Sequence, residues 1–120
     1  MNVAELLRWQ WDGYPRVHRS RTNLIIHIVV VPLFVLGNIG LIMALVLGRP
    51  LLGALSLVTT VASVALQGRG HKQEQVPPEP FTGPSNAVSR IFLEQWVTFP
   101  RFVVSGKWLR ALRASKAGQA

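Results

Sequence analysis

Residues 24–47 read LIIHIVVVPLFVLGNIGLIMALVL, and this stretch decides the fold. Across 24 residues its only strongly polar members are His27 and Asn38. As a helix at ~1.5 Å per residue it is about 36 Å long, enough to cross a ~30 Å hydrocarbon layer with some tilt. Pro32 predicts a kink whose freed carbonyl must be covered by a neighbouring helix. Gly37 and Gly40 offer a small-residue strip for close helix contact, with a second helix or with another copy of the chain. Gly48-Arg49-Pro50 then predicts a tight turn, and residues 51–66 (LLGALSLVTTVASVAL) form a second apolar run of 16 residues. That length is marginal for a span, and Gln67 and Gly68 extend it slightly. Ser56, Thr59, Thr60 and Ser63 can return hydrogen bonds to their own helix or across to the first. Two apolar runs joined by a tight turn predict a helical hairpin.

The bulk composition points the same way. The 120 residues suffice for one domain, and they are 49% hydrophobic and 15% charged, which is apolar for a soluble domain of this size. The net charge of +8 comes from 13 Lys and Arg against 5 Asp and Glu. These cations flank apolar segments, which suits an anionic lipid surface and argues against nucleic acid. Absence of cysteine excludes disulfides, thiolate zinc sites and thiol catalysis. The first apolar run starts too late and is too long for a cleaved signal peptide, so it is expected to be retained. Arg8, Arg16, Arg19 and Arg21 precede the first run, Arg69 and Lys72 follow the second, and Arg49 alone marks the turn. This asymmetry predicts an integral membrane protein with both termini cytoplasmic.

The flanks predict amphipathic helices. In residues 2–19, Val3, Leu6, Leu7, Trp11 and Tyr14 recur at helical spacing, with Gly13 and Pro15 as expected breaks. Ser20–Asn23 is a polar joint in which Thr22 or Asn23 is the expected N-cap. Residues 75–86 hold four prolines and predict a loop. Asn86 is the expected cap of a helix to about Thr98, and Pro100 is expected to end or bend it. Residues 99–112 combine an apolar body with a basic rim, and a tail is expected from residue 114 onward. The predicted fold is all-α: one membrane-embedded domain over residues 1–120, a spanning hairpin with amphipathic interfacial helices at both ends.

The chain has three histidines. His18 lies just before the first apolar run, His27 one turn inside it, and His71 just past the second, so a hairpin brings all three near one bilayer surface. Tyr14 and His18 are four residues apart, as are Asn23 and His27, and Gln67 and His71; Glu74 follows three beyond. His18 and His27 are nine apart and oppose each other on a straight helix, so they converge only if the Ser20–Asn23 joint breaks the chain. Three neutral imidazoles with the Glu74 carboxylate suit a transition metal such as iron or zinc. Tyr14, Asn23 and Gln67 are of the type that holds the second ring nitrogen of a ligating histidine. Each residue also has a plainer reading: His18 as a headgroup-level cation, His27 bonded to Asn23 or a carbonyl, His71 exposed in a loop. No phosphate-binding glycine loop or Gly-x-Ser-x-Gly elbow is present.

The blocks Tyr14-x3-His18-x4-Asn23-x3-His27-x4-Pro32 and Gln67-x2-Gly70-His71-x2-Glu74, followed by Pro77-Pro78 and Pro84, resemble the Mpo1-like family of small multi-helix membrane proteins. The resemblance runs from about Tyr14 to Trp108. It implies an Fe(II)-dependent dioxygenase of fatty-acid α-oxidation that takes a 2-hydroxy fatty acid and dioxygen and shortens the chain by one carbon. It further implies that the iron ligands are drawn from His18, His27 and His71, with Glu74 as ligand or support. Arg16, Arg21, Arg69 or Lys72 would attract the substrate carboxylate, and the acyl tail would lie along Val30, Phe34 and the second run. The alternative is a non-catalytic membrane scaffold or lipid-binding module, and a second copy of the chain is a further candidate partner.

Overall fold

The computed structural model describes residues 1–115, and among them the regular structure is all helix, with no strand. Residues 116–120 of the expected tail lie outside the described residues. Helix α1 (Val3–Gly13) starts in a capping box: Asn2 Oδ1 accepts the Glu5 N–H at 2.8 Å, and Glu5 reaches back to the Asn2 N–H. The predicted helix to residue 19 stops early. Pro15 carries the chain into a tight turn over Tyr14–Val17, and His18 (φ −133°, ψ 65°) and extended Ser20 break it.

Helix α2 (Arg21–Leu47) is capped by Ser20, whose Oγ accepts the Asn23 N–H, in place of the expected Thr22 or Asn23. Those two residues already lie in its first turn. The helix ends at Gly48, whose φ of +62° is the left-handed conformation that glycine adopts without strain. Helix α3 (Pro50–His71) begins with proline at its first position, where no amide is needed, and runs five residues past the predicted apolar segment. At ~1.5 Å per residue, α2 and α3 are about 40 and 33 Å long. They lie against each other along the small-residue strip. A Cβ on Gly37 would sit 3.0 Å from the Ser56 carbonyl oxygen, and Gly40 abuts the Ser56 side chain. The strip therefore serves the hairpin itself. The Thr59 and Thr60 hydroxyls return to the Leu55 and Ser56 carbonyls of their own helix.

Both hairpin helices are long and apolar enough to cross a membrane, with mean hydropathy of 2.6 and 1.6 over their most apolar windows. Only 28% and 17% of those windows is buried, so most of their apolar side chains face outward.

After a loop, α4 (Pro84–Leu93) starts behind Gly83; Asn86 bonds the Thr82 N–H instead of capping the helix. A wide π turn follows over Glu94–Thr98, then α5 (Phe99–Val104) and, after Gly106 (φ +85°), α6 (Lys107–Ala114). Pro100 does not end the helix. It lacks the amide that would bond the carbonyl four residues back, and the turn before it widens so that the Phe99 N–H bonds the Glu94 carbonyl. The last third closes over the open end of the hairpin. Tyr14, Leu24, Val31, Phe99 and Phe102 form a buried cluster there, and Trp108 Nε1 donates to the Leu24 carbonyl at 3.0 Å.

Candidate metal centre

The break before α2 turns His18 back over the second turn of α2, where His27 sits. His18 Nδ1 lies 2.8 Å from the Tyr14 carbonyl oxygen, and its ring stacks on Tyr14 with centroids 3.7 Å apart. His27 Nδ1 lies 3.0 Å from the Asn23 carbonyl oxygen, four residues back in the same helix. A carbonyl only accepts, so each Nδ1 carries the hydrogen and each Nε2 presents a lone pair. His71, the last residue of α3, completes the group: the three ring centroids are 4.8, 4.8 and 5.0 Å apart. From the π turn, Glu94 Oε2 comes within 3.4 Å of His18 Nε2 and 3.5 Å of His27 Nε2, and it accepts the Tyr14 hydroxyl at 2.7 Å.

One ligand atom from each of His18, His27, His71 and Glu94 lies within 4.8 Å of the others, so this group could hold a metal ion. The donor set fits one. His18 Nε2, His27 Nε2 and His71 Nδ1 are buried with no hydrogen-bond partner among the described residues. Buried polar atoms are rarely left so, and lone pairs pointed at one another and at a carboxylate repel unless a cation lies between them. Burial pushes the His18 imidazole below its ordinary value of 6.5. Burial alone would raise Glu94, but the adjacent His18 and His27 rings overcome it and hold the carboxyl well below its usual range. Burial and the Glu94 charge push the Tyr14 phenol well up. Neutral imidazole and ionised carboxylate are the forms that bind metal.

Glu74 is not in this group, contrary to expectation. Helix α3 ends at His71, so Glu74 leaves the helical face and turns toward the break before α2. Its carboxylate accepts the Arg19 N–H at 2.9 Å, the Ser20 N–H at 3.0 Å and the Asn23 side-chain amide at 2.7 Å. Two successive free amides make an anion-binding concavity, and Glu74 fills it. It thereby fixes the break that brings His18 over His27.

The other sequence-derived candidates fall in varied places. Tyr14 and Asn23 hold ring nitrogens through their carbonyls, while their side chains bond Glu94 and Glu74. Gln67 pairs reciprocally with Gln95 through two 2.8 Å bonds, tying α3 to the π turn. Arg21 bonds the Leu112 carbonyl and the Ser115 hydroxyl, tying α2 to α6. Arg69 is exposed and lines none of the three cavities that touch the four-residue group. Lys72 sits on the wall of one of about 430 Å³, which His71 and Glu94 also line. Arg16 lines a smaller one, about 80 Å³, with His18, His71 and Glu94.

Sequence reasoning missed Glu94, Gln95 and Gln10. Gln10 bonds the Arg90 carbonyl and accepts the Thr98 hydroxyl, holding α1 against the π turn. A signal for Glu94 existed. It is one of 5 acidic residues and is set inside an apolar helical stretch, Ile91-Phe92-Leu93-Glu94-Gln95-Trp96. Compared with protein-family models, curated proteins and solved structures, the chain matches none.

Proposed function

We propose that this chain is an integral membrane Fe(II)-dependent dioxygenase that shortens 2-hydroxy fatty acids by one carbon. The observation that carries the reading is the convergence of three unpartnered imidazole nitrogens and the Glu94 carboxylate at one end of an apolar hairpin. The resemblance of the Tyr14–Pro32 and Gln67–Glu74 blocks to the Mpo1-like family supplies the reaction class. When held, iron(II) would supply a site for the vicinal hydroxyl and carboxylate and for dioxygen, the four-electron oxidant that takes RCH(OH)COOH to RCOOH, carbon dioxide and water as the C1–C2 bond breaks. The chain's own residues prepare that site. The Tyr14 and Asn23 carbonyls fix the His18 and His27 tautomers, and the Tyr14 hydroxyl orients Glu94. Lys72 supplies positive charge beside the mouth.

Membrane embedding is supported by exposure. Leu36, Ile42, Leu45, Val46, Leu57, Val58 and Val61 all face outward, an apolar belt larger than water-soluble proteins carry. With the site at the basic end of the hairpin, the excess of Arg and Lys on the outer flanks supports a reading in which the site and both termini face the cytoplasm.

The test is elemental analysis of protein purified in detergent, followed by anaerobic Fe(II) loading and turnover of 2-hydroxy fatty acids with dioxygen. About one iron per chain, lost in His18→Ala, His27→Ala and His71→Ala, with an acid one carbon shorter as product, is expected. Zinc lost in the same way would keep the site and replace oxygenation by hydrolysis. No metal after loading would leave the non-catalytic membrane module as the better account.

A further inference from the structure

The 430 Å³ cavity does not stop at the metal centre. From His71 and Glu94 it runs between α3 and α4 under Pro77, Pro78 and Phe81. A second cavity of about 390 Å³, lined by Phe34, Val61, Val88 and Phe92 among others, continues it toward the middle of the hairpin. Val64 and Ile91 line both. The two cavities abut at Val64 and Ile91, and end to end they trace a groove with those two residues at its neck. Its polar groups lie at one end: His71, Lys72, Arg90 and Glu94 beside the centre. At the far end the walls are apolar, with Phe34 buried against the Phe92 ring at 5.2 Å and Val61 and Val88 exposed at the opening.

We infer that this groove holds the tail of a single-chain fatty acid, which enters sideways from hydrocarbon between α3 and α4, and that Val64 and Ile91 set which chain lengths reach the centre. This occupant matches the groove in charge and depth. The Lys72 and Arg90 side chains meet a carboxylate at the basic end, and the apolar walls beyond Val64 and Ile91 take the tail. Val64 lies seven residues before His71, so the neck is about 10 Å from the centre along α3. Tails shorter than that end before the neck, and longer ones thread it. The expected tail path of the sequence reading ran along Val30, Phe34 and the second apolar run. Here Phe34 forms the far end of the groove and Thr60, Val61 and Val64 of the second run line it, while Val30 does not.

The inference rests on the dioxygenase reading for the 2-hydroxy group alone; the groove requires only a single-chain carboxylate. The experiment uses the full chain in phosphatidylcholine nanodiscs with a fatty acid carrying a photoreactive diazirine near its tail end, followed by peptide mapping of the cross-links. Expected is saturable labelling at residues 60–65 and 88–92 that excess unlabelled fatty acid removes. Val64→Trp should cut that labelling by about tenfold or more while bound metal stays at the wild-type level. Ile91→Trp, on the facing wall, should do the same and serves where Val64→Trp does not fold. In the loaded protein each variant should lose turnover of long-chain acids and keep that of acids too short to reach the neck. Unsaturable labelling spread over Leu36, Ile42 and Val46 would overturn the groove. So would neck variants that treat all chain lengths as the wild type does, even if iron and turnover are present. Saturable groove labelling in protein that takes up no metal would uphold the groove and sink the dioxygenase reading.

Discussion

At the scale of single residues, two glutamates divide two tasks. Glu94 brings its charge to the three imidazoles, and Glu74 brings its charge to the backbone amides that hold His18 in place. Their substitutions should therefore fail differently. Glu94→Gln should lower metal affinity by about 10-fold or more with the fold intact, read by metal titration. Glu74→Ala should leave the four ligand residues in place but remove a charged acceptor from three donors. A loss of about 1–3 kcal/mol in unfolding free energy is expected, with metal still bound at saturation. If Glu74→Ala abolishes metal binding and Glu94→Gln does not, the two roles are reversed. Acid should act in a definite direction. His18 in the folded chain sits below 6.5, so the unfolded chain takes up its proton first, and stability falls as pH drops below about 6.5. Glu94, held below its ordinary range, adds a second loss as pH falls below about 4.5. The metal-free protein should thus show a flat melting temperature above about pH 7 and a declining one below about pH 6.5 in a thermal scan across pH.

At the scale of elements, the site depends on two interruptions of helix. The first is the break at His18–Ser20, which reverses the opposition that nine residues of straight helix would impose on His18 and His27. The second is the π turn over Glu94–Thr98, which Pro100 imposes and which Gln10 holds through Thr98 and Gln67 holds through Gln95. Pro100→Ala restores an amide and lets the turn tighten to ordinary α geometry, swinging Glu94 away from the imidazoles. Metal affinity should drop by about tenfold or more while helix content by circular dichroism is unchanged. Gly37→Ala is the contrasting change. Its methyl would press on the Ser56 carbonyl and Thr60 and part the hairpin, costing about 1–3 kcal/mol in stability. Gly37 is ten residues from His27, about 15 Å along α2, so metal content should hold. A Gly37→Ala protein that loses metal before it loses stability would contradict this separation.

At the scale of the molecule, the hairpin supplies depth and the last third supplies closure. Helices α4 to α6 close over the basic end, add Glu94 from above, and pin α2 through Trp108. Arg90 fastens the proline loop that roofs the cavity: its guanidinium donates to the Glu79 and Pro80 carbonyls and lies 4.5 Å over the Phe81 ring. The chain lacks cysteine, so single introduced cysteines report topology cleanly. In sealed vesicles, Asn2→Cys and Arg49→Cys should label from opposite sides with a membrane-impermeant maleimide. Labelling of both from one side would exclude the spanning hairpin.

The sequence by itself determined the hairpin and its turn, because length, apolar content and Gly48 act locally or between adjacent elements; it located the Gly37 and Gly40 strip, and only the tertiary structure decided that the strip meets α3. It also singled out His18, His27 and His71, since polar rings beside long apolar runs are few. It did not reveal that Glu94, not Glu74, joins them. Reading Glu74 on the face of Gln67 and His71 assumed that α3 continues past His71, and the helix ends there. Glu94 lies 67 residues from His27, and the register that brings it in depends on the Pro100 turn and the Gln67–Gln95 pair. Spacing encodes which residues share a helix face. Which faces meet across such a distance is set only when the last third packs onto the hairpin, because that choice depends on the summed fit of side chains from every element and not on the pattern within any one.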